Sequence, residues 1–248
     1  PIFFPDITYS FYPVYCNLFD IQYKTIPLDG EFKINFADYR IDNGGIIFPN
    51  PNAPTGIPKS LNEIEELLKL NKDSVVVVDE AYVDFGTESA VNLVKQYKNL
   101  VVTQSMSKSR SLAGMRLGFA FADKGLIEAL SRIKNSFNSY PVDRLAQAAG
   151  IAAINDEDYF TETRDNIIEA RTFLEENLLA MNFETLPSGA NFIFTKHHKM
   201  NASEIFKKLR DSGILVRHFN YPERISQYLR ITVGTMKQMK QLISILKS

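Results

Sequence analysis

Short unbroken apolar runs alternate with stretches of helical periodicity along the first 135 residues. Val75-Val76-Val77-Val78 is the clearest run, and a continuous apolar stretch of this kind predicts a parallel strand covered on both faces. Ile46-Ile47-Phe48, Leu100-Val101-Val102-Thr103 and Leu117-Gly118-Phe119-Ala120-Phe121 predict further strands. Upstream, residues 21–28 read as a strand closed by the turn pair Asp29-Gly30. Between these runs, Leu61, Ile64, Leu67, Leu68 and Leu70 give a helix one apolar face, and Ser60 with Glu63 makes a capping box at its start. The pattern also predicts helices over 89–97 and 124–135. Strand and helix in alternation mean an α/β unit, a mostly parallel sheet with helices on both faces.

After residue 140 the pattern changes. Two helices are predicted over 141–154 and 156–181, the second carrying Phe160, Ile167, Ile168, Phe173, Leu174, Leu178 and Leu179 on its apolar side. Short strands at 190–195, 214–217 and 228–233 follow, with helices at 202–210 and 235–246. This reads as a smaller α+β unit. The expected division is 1–160 for the large domain and 161–248 for the small C-terminal domain with its long connecting helix.

Composition narrows the possible partners more than it narrows the fold. A chain of 248 residues with 45% hydrophobic content can bury a large core, in one big domain or two smaller ones. Net charge is −1, so no global field directs it to nucleic acid or an acidic membrane, and neither partner is expected. No apolar run approaches the roughly 20 residues that span a bilayer. The first residues show no charged-then-apolar signal pattern. A single cysteine, Cys16, excludes an intramolecular disulfide and fits a reducing, cytoplasmic location. His197 and His198 lie in a Lys-rich turn with no cysteine or acidic residue at zinc spacing, and no metal is expected.

Three strand ends carry unusual polar groups. Residues Pro49-Asn50-Pro51-Asn52-Ala53-Pro54-Thr55-Gly56 form a rigid loop, Asp79-Glu80-Ala81-Tyr82 ends the valine run, and Ser105-Met106-Ser107-Lys108 leads through further hydroxyls to Arg116. In open α/β sheets, ligands bind outside the carboxyl ends of the strands. Hydroxyls and an arginine on one connection suit a phosphate, and a lysine beside a phosphate ester could form a Schiff base with a cofactor aldehyde. Taken singly, each group has a plainer role: solvated charges in the loop, a helix cap for Asp79, a core tyrosine at 82, a turn former at 52. Together those readings require three strand ends to meet on one rim by accident.

These segments, with Leu229-Arg230-Ile231-Thr232-Val233-Gly234-Thr235, resemble the fold-type I pyridoxal-phosphate-dependent aminotransferases, and their pattern looks most like that of the histidinol-phosphate aminotransferases. The resemblance implies roles for particular residues. Lys108 would hold pyridoxal 5'-phosphate and shuttle a proton, Asp79 would face the pyridine nitrogen, and Tyr82 would donate to the phenolic oxygen. Ser105, Ser107 and Arg116 would grip the phosphate, and Tyr9 would stack on the ring, unless it is a core tyrosine at a helix start. Relatives have Asn immediately before Pro-Thr-Gly where this chain has Ala53, so Asn52 or Tyr82 would make that oxygen contact. Arg230 and Arg217 would bind the acidic groups of the substrates, a guanidinium fork suiting carboxylate and phosphate alike.

The resemblance further implies a small-molecule amino donor, histidinol phosphate, with 2-oxoglutarate as the 2-oxo acid partner, and a homodimer. Two other enzymes share the motifs: a threonine-phosphate decarboxylase, distinguished by carbon dioxide release, and an aromatic aminotransferase, distinguished by its use of phenylpyruvate. A non-catalytic aminotransferase-like binding module is the other class; the complete Asp79, Lys108 and Arg116 set stands against it. The chain opens on Pro1 in an apolar run, as if within a folded unit. Relatives carry a preceding segment that supplies an intersubunit arm and a glycine-containing helix start for the phosphate. The expectation is that residues 1–248 alone bind the cofactor weakly and transaminate little.

Overall fold

The valine-rich run and its neighbours do form adjacent strands. The computed structural model describes all of residues 1–248. Its elements begin with β1 (Ile2–Pro5), α1 (Tyr12–Leu18), β2 (Tyr23–Ile26), β3 (Gly45–Pro49), α2 (Leu61–Leu70) and β4 (Val76–Asp79). Next come β5 (Leu100–Ser105), β6 (Gly118–Ala122), α3 (Lys124–Phe137), α4 (Arg144–Asn155) and the long α5 (Glu157–Leu179). The chain ends with β7 (Phe183–Thr185), β8 (Phe192–His197), α6 (Ala202–Asp211), β9 (Arg217–His218), β10 (Leu229–Thr232) and α7 (Met236–Lys247).

The first six strands make one sheet in the order β2-β1-β3-β4-β5-β6. All its pairings are parallel except β5 with β6, which is antiparallel. On one face, Phe3, Ile46, Phe48, Val76, Val78, Leu100 and Val102 meet Ile64, Leu67 and Leu68 of α2 in one continuous core. Those three α2 residues fall at i, i+3 and i+4, the spacing of a single helix face, and each fully buried side chain contributes about 1.5–3 kcal/mol. The capping box is present: Ser60 Oγ accepts from the Glu63 amide, and the Glu63 carboxylate accepts from the Ser60 amide at 2.9 Å.

The other face differs from expectation. Val76 and Val78 are buried, but Val75 and Val77 are only half-buried. The reason lies in the helices on that side. Helix α1 covers Phe4 with Tyr12 and Cys16, while α3 buries none of its residues. A second correction concerns 89–97, which forms only a 3-10 turn over Ala90–Leu93. Ser89 Oγ accepts from the Val91 amide and the Glu80 carboxylate takes the Ala90 amide, so local side chains hold a tight turn where β-branched residues weaken a longer helix.

A second sheet, β7-β8-β10-β9, is antiparallel and packs against α5, α6 and α7. Its strand β7 was absent from the sequence reading, and β9 is two residues long. The two sheets are joined by packing as well as by chain. Phe194 and Tyr228 enter the first core beside Phe32, with Tyr228 stacked on Phe194 at 4.6 Å between ring centroids. Arg171 of α5 donates to the Phe85 carbonyl at 2.9 Å and to the Ala190 carbonyl at 2.6 Å, bracing the two units together.

Candidate active site

Parallel register sets the polar strand ends side by side. Pro49 lies opposite Asp79, and Asp79 opposite Thr103, so the segments after β3, β4 and β5 leave one edge of the sheet together. The lysine loop leaves β5 and returns as β6, with Ser105 paired to Gly118. Two non-glycine residues within it, Ser111 (φ 55) and Arg116 (φ 55), take the left-handed conformation, a strained arrangement that the surrounding bonds must hold. Among those bonds are Ser111 N–H to the Lys108 carbonyl, Leu112 N–H to the Met106 carbonyl, and the Ser109 hydroxyl to the Asp84 carboxylate.

Lys108 is exposed, and its Nζ lies 5.4 Å from the centroid of the Tyr82 ring. Tyr82 meets Phe192 edge-on at 5.1 Å, and the Arg230 guanidinium sits 5.1 Å from the centroid of the Phe192 ring. Lys108, Tyr82, Phe192 and Arg230 are thus connected pair by pair, through a phenylalanine that sequence reasoning missed. A cavity of ≈ 430 Å³ opens beside Lys108, lined among others by Ser109, Ser111, Asn191 and Thr235.

Asp79 sits at the end of β4 with each carboxylate oxygen bonded. The Tyr12 hydroxyl donates to Oδ2 at 3.0 Å and the Ala81 amide to Oδ1 at 3.2 Å. Burial pushes its pKa up, and these two donors oppose the shift. Tyr9 meets Tyr12 edge-on at 5.6 Å, which brings it close to the same carboxylate. Its neighbour Glu80 is buried, faces Ser89, Ala90 and Gln104, and is likewise pushed up by burial.

Ser105 accepts from the Ser107 amide at 3.1 Å, so the two serines share one turn. Arg116 donates to the Ala113 carbonyl at 2.8 Å. Asn52 does not fit the contact expected of it. Both its amide hydrogens are taken, by the Ile7 carbonyl at 3.0 Å and by Thr55 Oγ1 at 3.1 Å, and its oxygen accepts from Thr8. It is a loop brace with no donor left for a ligand.

Arg230 and Arg217 face each other across β10 and β9 in register. Like charges directly opposite each other destabilise a strand pair, and a bound anion would relieve them. Arg230 Nε is also buried without a partner, which a native fold rarely tolerates unless a ligand answers it.

The candidate site thus holds a carboxylate with a donor on each oxygen, a lysine over a tyrosine ring and two arginines opposite each other. Residues 1–246 match the model for aminotransferase class I and II, and the chain belongs to that family, the pyridoxal-phosphate-dependent fold-type I aminotransferases. It is 60% identical over 242 residues to histidinol-phosphate aminotransferase 1 of Hydrogenovibrio crunogenus, an alignment covering 98% of this chain and 68% of that protein. Among solved structures, it is similar to the histidinol-phosphate aminotransferase of Clostridium acetobutylicum (TM-score 0.91, 24% identity, 99% of this chain and 76% of that one). It is also similar to the histidinol-phosphate aminotransferase of Sinorhizobium meliloti in complex with pyridoxal-5'-phosphate (TM-score 0.85, 22% identity, 98% and 68%).

Proposed function

We propose that this aminotransferase moves the amino group of histidinol phosphate to 2-oxoglutarate, with pyridoxal phosphate bound at Lys108. The residues present fit that cofactor. Lys108 Nζ has no ion pair, Asp79 offers a carboxylate fixed by two donors, and Tyr82 and Tyr9 present aromatic rings beside them. When bound, the cofactor supplies an electron sink for a carbanion at the substrate's amine-bearing carbon.

The protein's own groups do the rest. Lys108 Nζ would hold the cofactor at its aldehyde and, as a free amine, would carry a proton between the substrate carbon and the cofactor. The Asp79 carboxylate would face the ring nitrogen and favour its protonated form by charge. Tyr82 would donate to the phenolic oxygen and Tyr9 would lie against the ring. Ser105, Ser107 and Arg116 would hold the phosphate. Arg230, with Arg217 opposite, takes the carboxylate of one substrate and the phosphate ester of the other.

The observation that carries this reading is the opposed arginine pair with its unpartnered buried Nε, 5.1 Å from the phenylalanine that touches Tyr82. The high identity to a histidinol-phosphate aminotransferase supports the choice of donor. We take residues 1–160 as the cofactor-binding unit and 161–248 as the small domain. Exposed apolar side chains, Phe119, Phe121, Ile133, Phe137 and Leu145 among them, support a homodimer. The lone free Cys16 supports a cytoplasmic location.

The test is a donor screen against 2-oxoglutarate. Histidinol phosphate should yield glutamate with kcat/KM at least about tenfold above phenylalanine, a margin of about 1.4 kcal/mol in transition-state binding. Carbon dioxide release from threonine phosphate without glutamate formation would overturn the assignment.

A further inference from the structure

We propose that Tyr12 is a positioning residue for Asp79, its hydroxyl fixing the aim of the carboxylate. The proposal rests on the reading in which Asp79 faces the ring nitrogen. It adds a residue that never touches cofactor or substrate.

Asp79 faces a conflict. Its site is largely buried, and burial favours the neutral acid, which could not hold a ring proton by charge. Only two donors oppose this, the Ala81 amide on Oδ1 and the Tyr12 hydroxyl on Oδ2. The amide is set by the turn itself. Tyr12 is the one side chain that donates to the carboxylate, and it comes from a different strand connection, 67 residues away in sequence. With one donor on each oxygen the carboxylate cannot rotate, so its remaining lone pairs keep a fixed aim.

The phenol is itself well fixed. Tyr12 is 5% exposed, packs with Phe4 and Cys16, and meets the Phe4 ring at 5.8 Å and the Tyr9 ring at 5.6 Å. Burial first, and then the charge of Asp79, push its pKa well above that of an ordinary tyrosine. It therefore remains a neutral donor across the working range, where an imidazole would titrate and a lysine would add charge.

The other titratable groups around the pair have separate duties. Tyr9 lies behind Tyr12, Glu80 points to Ser89, Ala90 and Gln104, and Lys108 stands across Tyr82. Losing the Tyr12 donor removes one of the two bonds that oppose burial, and so raises the Asp79 pKa.

Tyr12→Phe tests this, because it keeps the ring in the Phe4 and Cys16 cluster and removes only the hydroxyl. Carboxyl-carbon NMR of aspartate-labelled, cofactor-free protein follows Asp79, identified as the resonance lost in Asp79→Asn. The expected result is a midpoint higher by about one pH unit in Tyr12→Phe, a tenfold change in proton affinity. In the loaded enzyme, kcat of Tyr12→Phe should fall about tenfold with KM for the donor within about twofold. An Asp79 midpoint equal to the parent's overturns the proposal, as does an unaltered kcat. A fully active Asp79→Asn would instead overturn the reading beneath it. Slow turnover in Asp79→Asn beside an unaltered Tyr12→Phe would bring down the Tyr12 role alone.

Discussion

Asp79 carries a charge that its own surroundings disfavour. Its pKa is raised in the fold, so the folded chain binds that proton more tightly than the unfolded chain. The stability contributed by such a group is full below the ordinary aspartate value and is lost as pH rises through the raised one. Asp79→Asn should therefore raise the melting temperature of cofactor-free protein at pH 7. The gain should vanish near pH ~4, where the parent aspartate takes up its proton. The same variant should transaminate at least about a hundredfold more slowly, a loss of roughly 3 kcal/mol. Calorimetry at both pH values with steady-state rates at pH 7 checks this, and an unaltered rate would mean that the carboxylate does not face the ring. Asp79 and Lys108 could be singled out from the sequence because Asp79 closes the valine strand and Lys108 lies three residues past β5 in a hydroxyl-rich loop. Asn52 was misjudged because its donors are consumed by Ile7 and Thr55, and the Ile7 contact spans 45 residues. Tyr12 was missed although a hint was present. Tyr9 and Tyr12 stand three apart where the chain turns into α1, and the Tyr12 amide bonds back to the Tyr9 carbonyl at 3.2 Å.

The lysine loop depends on the hairpin that carries it. A Cβ on Gly118 would fall 2.9 Å from the Gln104 carbonyl oxygen, across the antiparallel pair that closes the loop. Backbone cannot retreat there without breaking the ladder. Gly118→Ala should cost about 1–3 kcal/mol, the usual range for overpacking, and lower the urea midpoint with an unchanged slope. A midpoint equal to the parent's would show that β5 and β6 can part without loss. Strands β2 to β6 were legible as apolar runs, whereas β1, the Ile2–Pro5 run, was not read as a strand. Their directions were only partly so, because β6 continues the alternation of the sequence yet pairs antiparallel to β5. The helix expected over 89–97 failed because a side-chain cap and the Glu80 carboxylate hold a shorter turn. Strand β7, three residues long, has too few positions for alternation to register.

At the scale of the molecule, the proposed site draws on two sheets whose packing meets at Phe194 and Tyr228. Lys108 and Asp79 belong to the first sheet's strand ends, while Arg230 and Arg217 come from the second. Arg171, bonded to Phe85 beside one and to Ala190 beside the other, fixes their relative position, and the stacked pair Phe194 and Tyr228 closes the seam. The two-part organisation was legible as a change in pattern after residue 140. The contacts across the seam were not, since Arg171 and Phe192 gain their meaning only from partners far away in the chain. All of this chemistry turns on one amine. Purified protein saturated with pyridoxal phosphate, reduced with borohydride, digested and mapped by mass spectrometry, tests it most directly. The account predicts a phosphopyridoxyl group on the peptide containing Lys108, abolished in Lys108→Ala. A label on any other lysine, or the same label in the alanine variant, would contradict it.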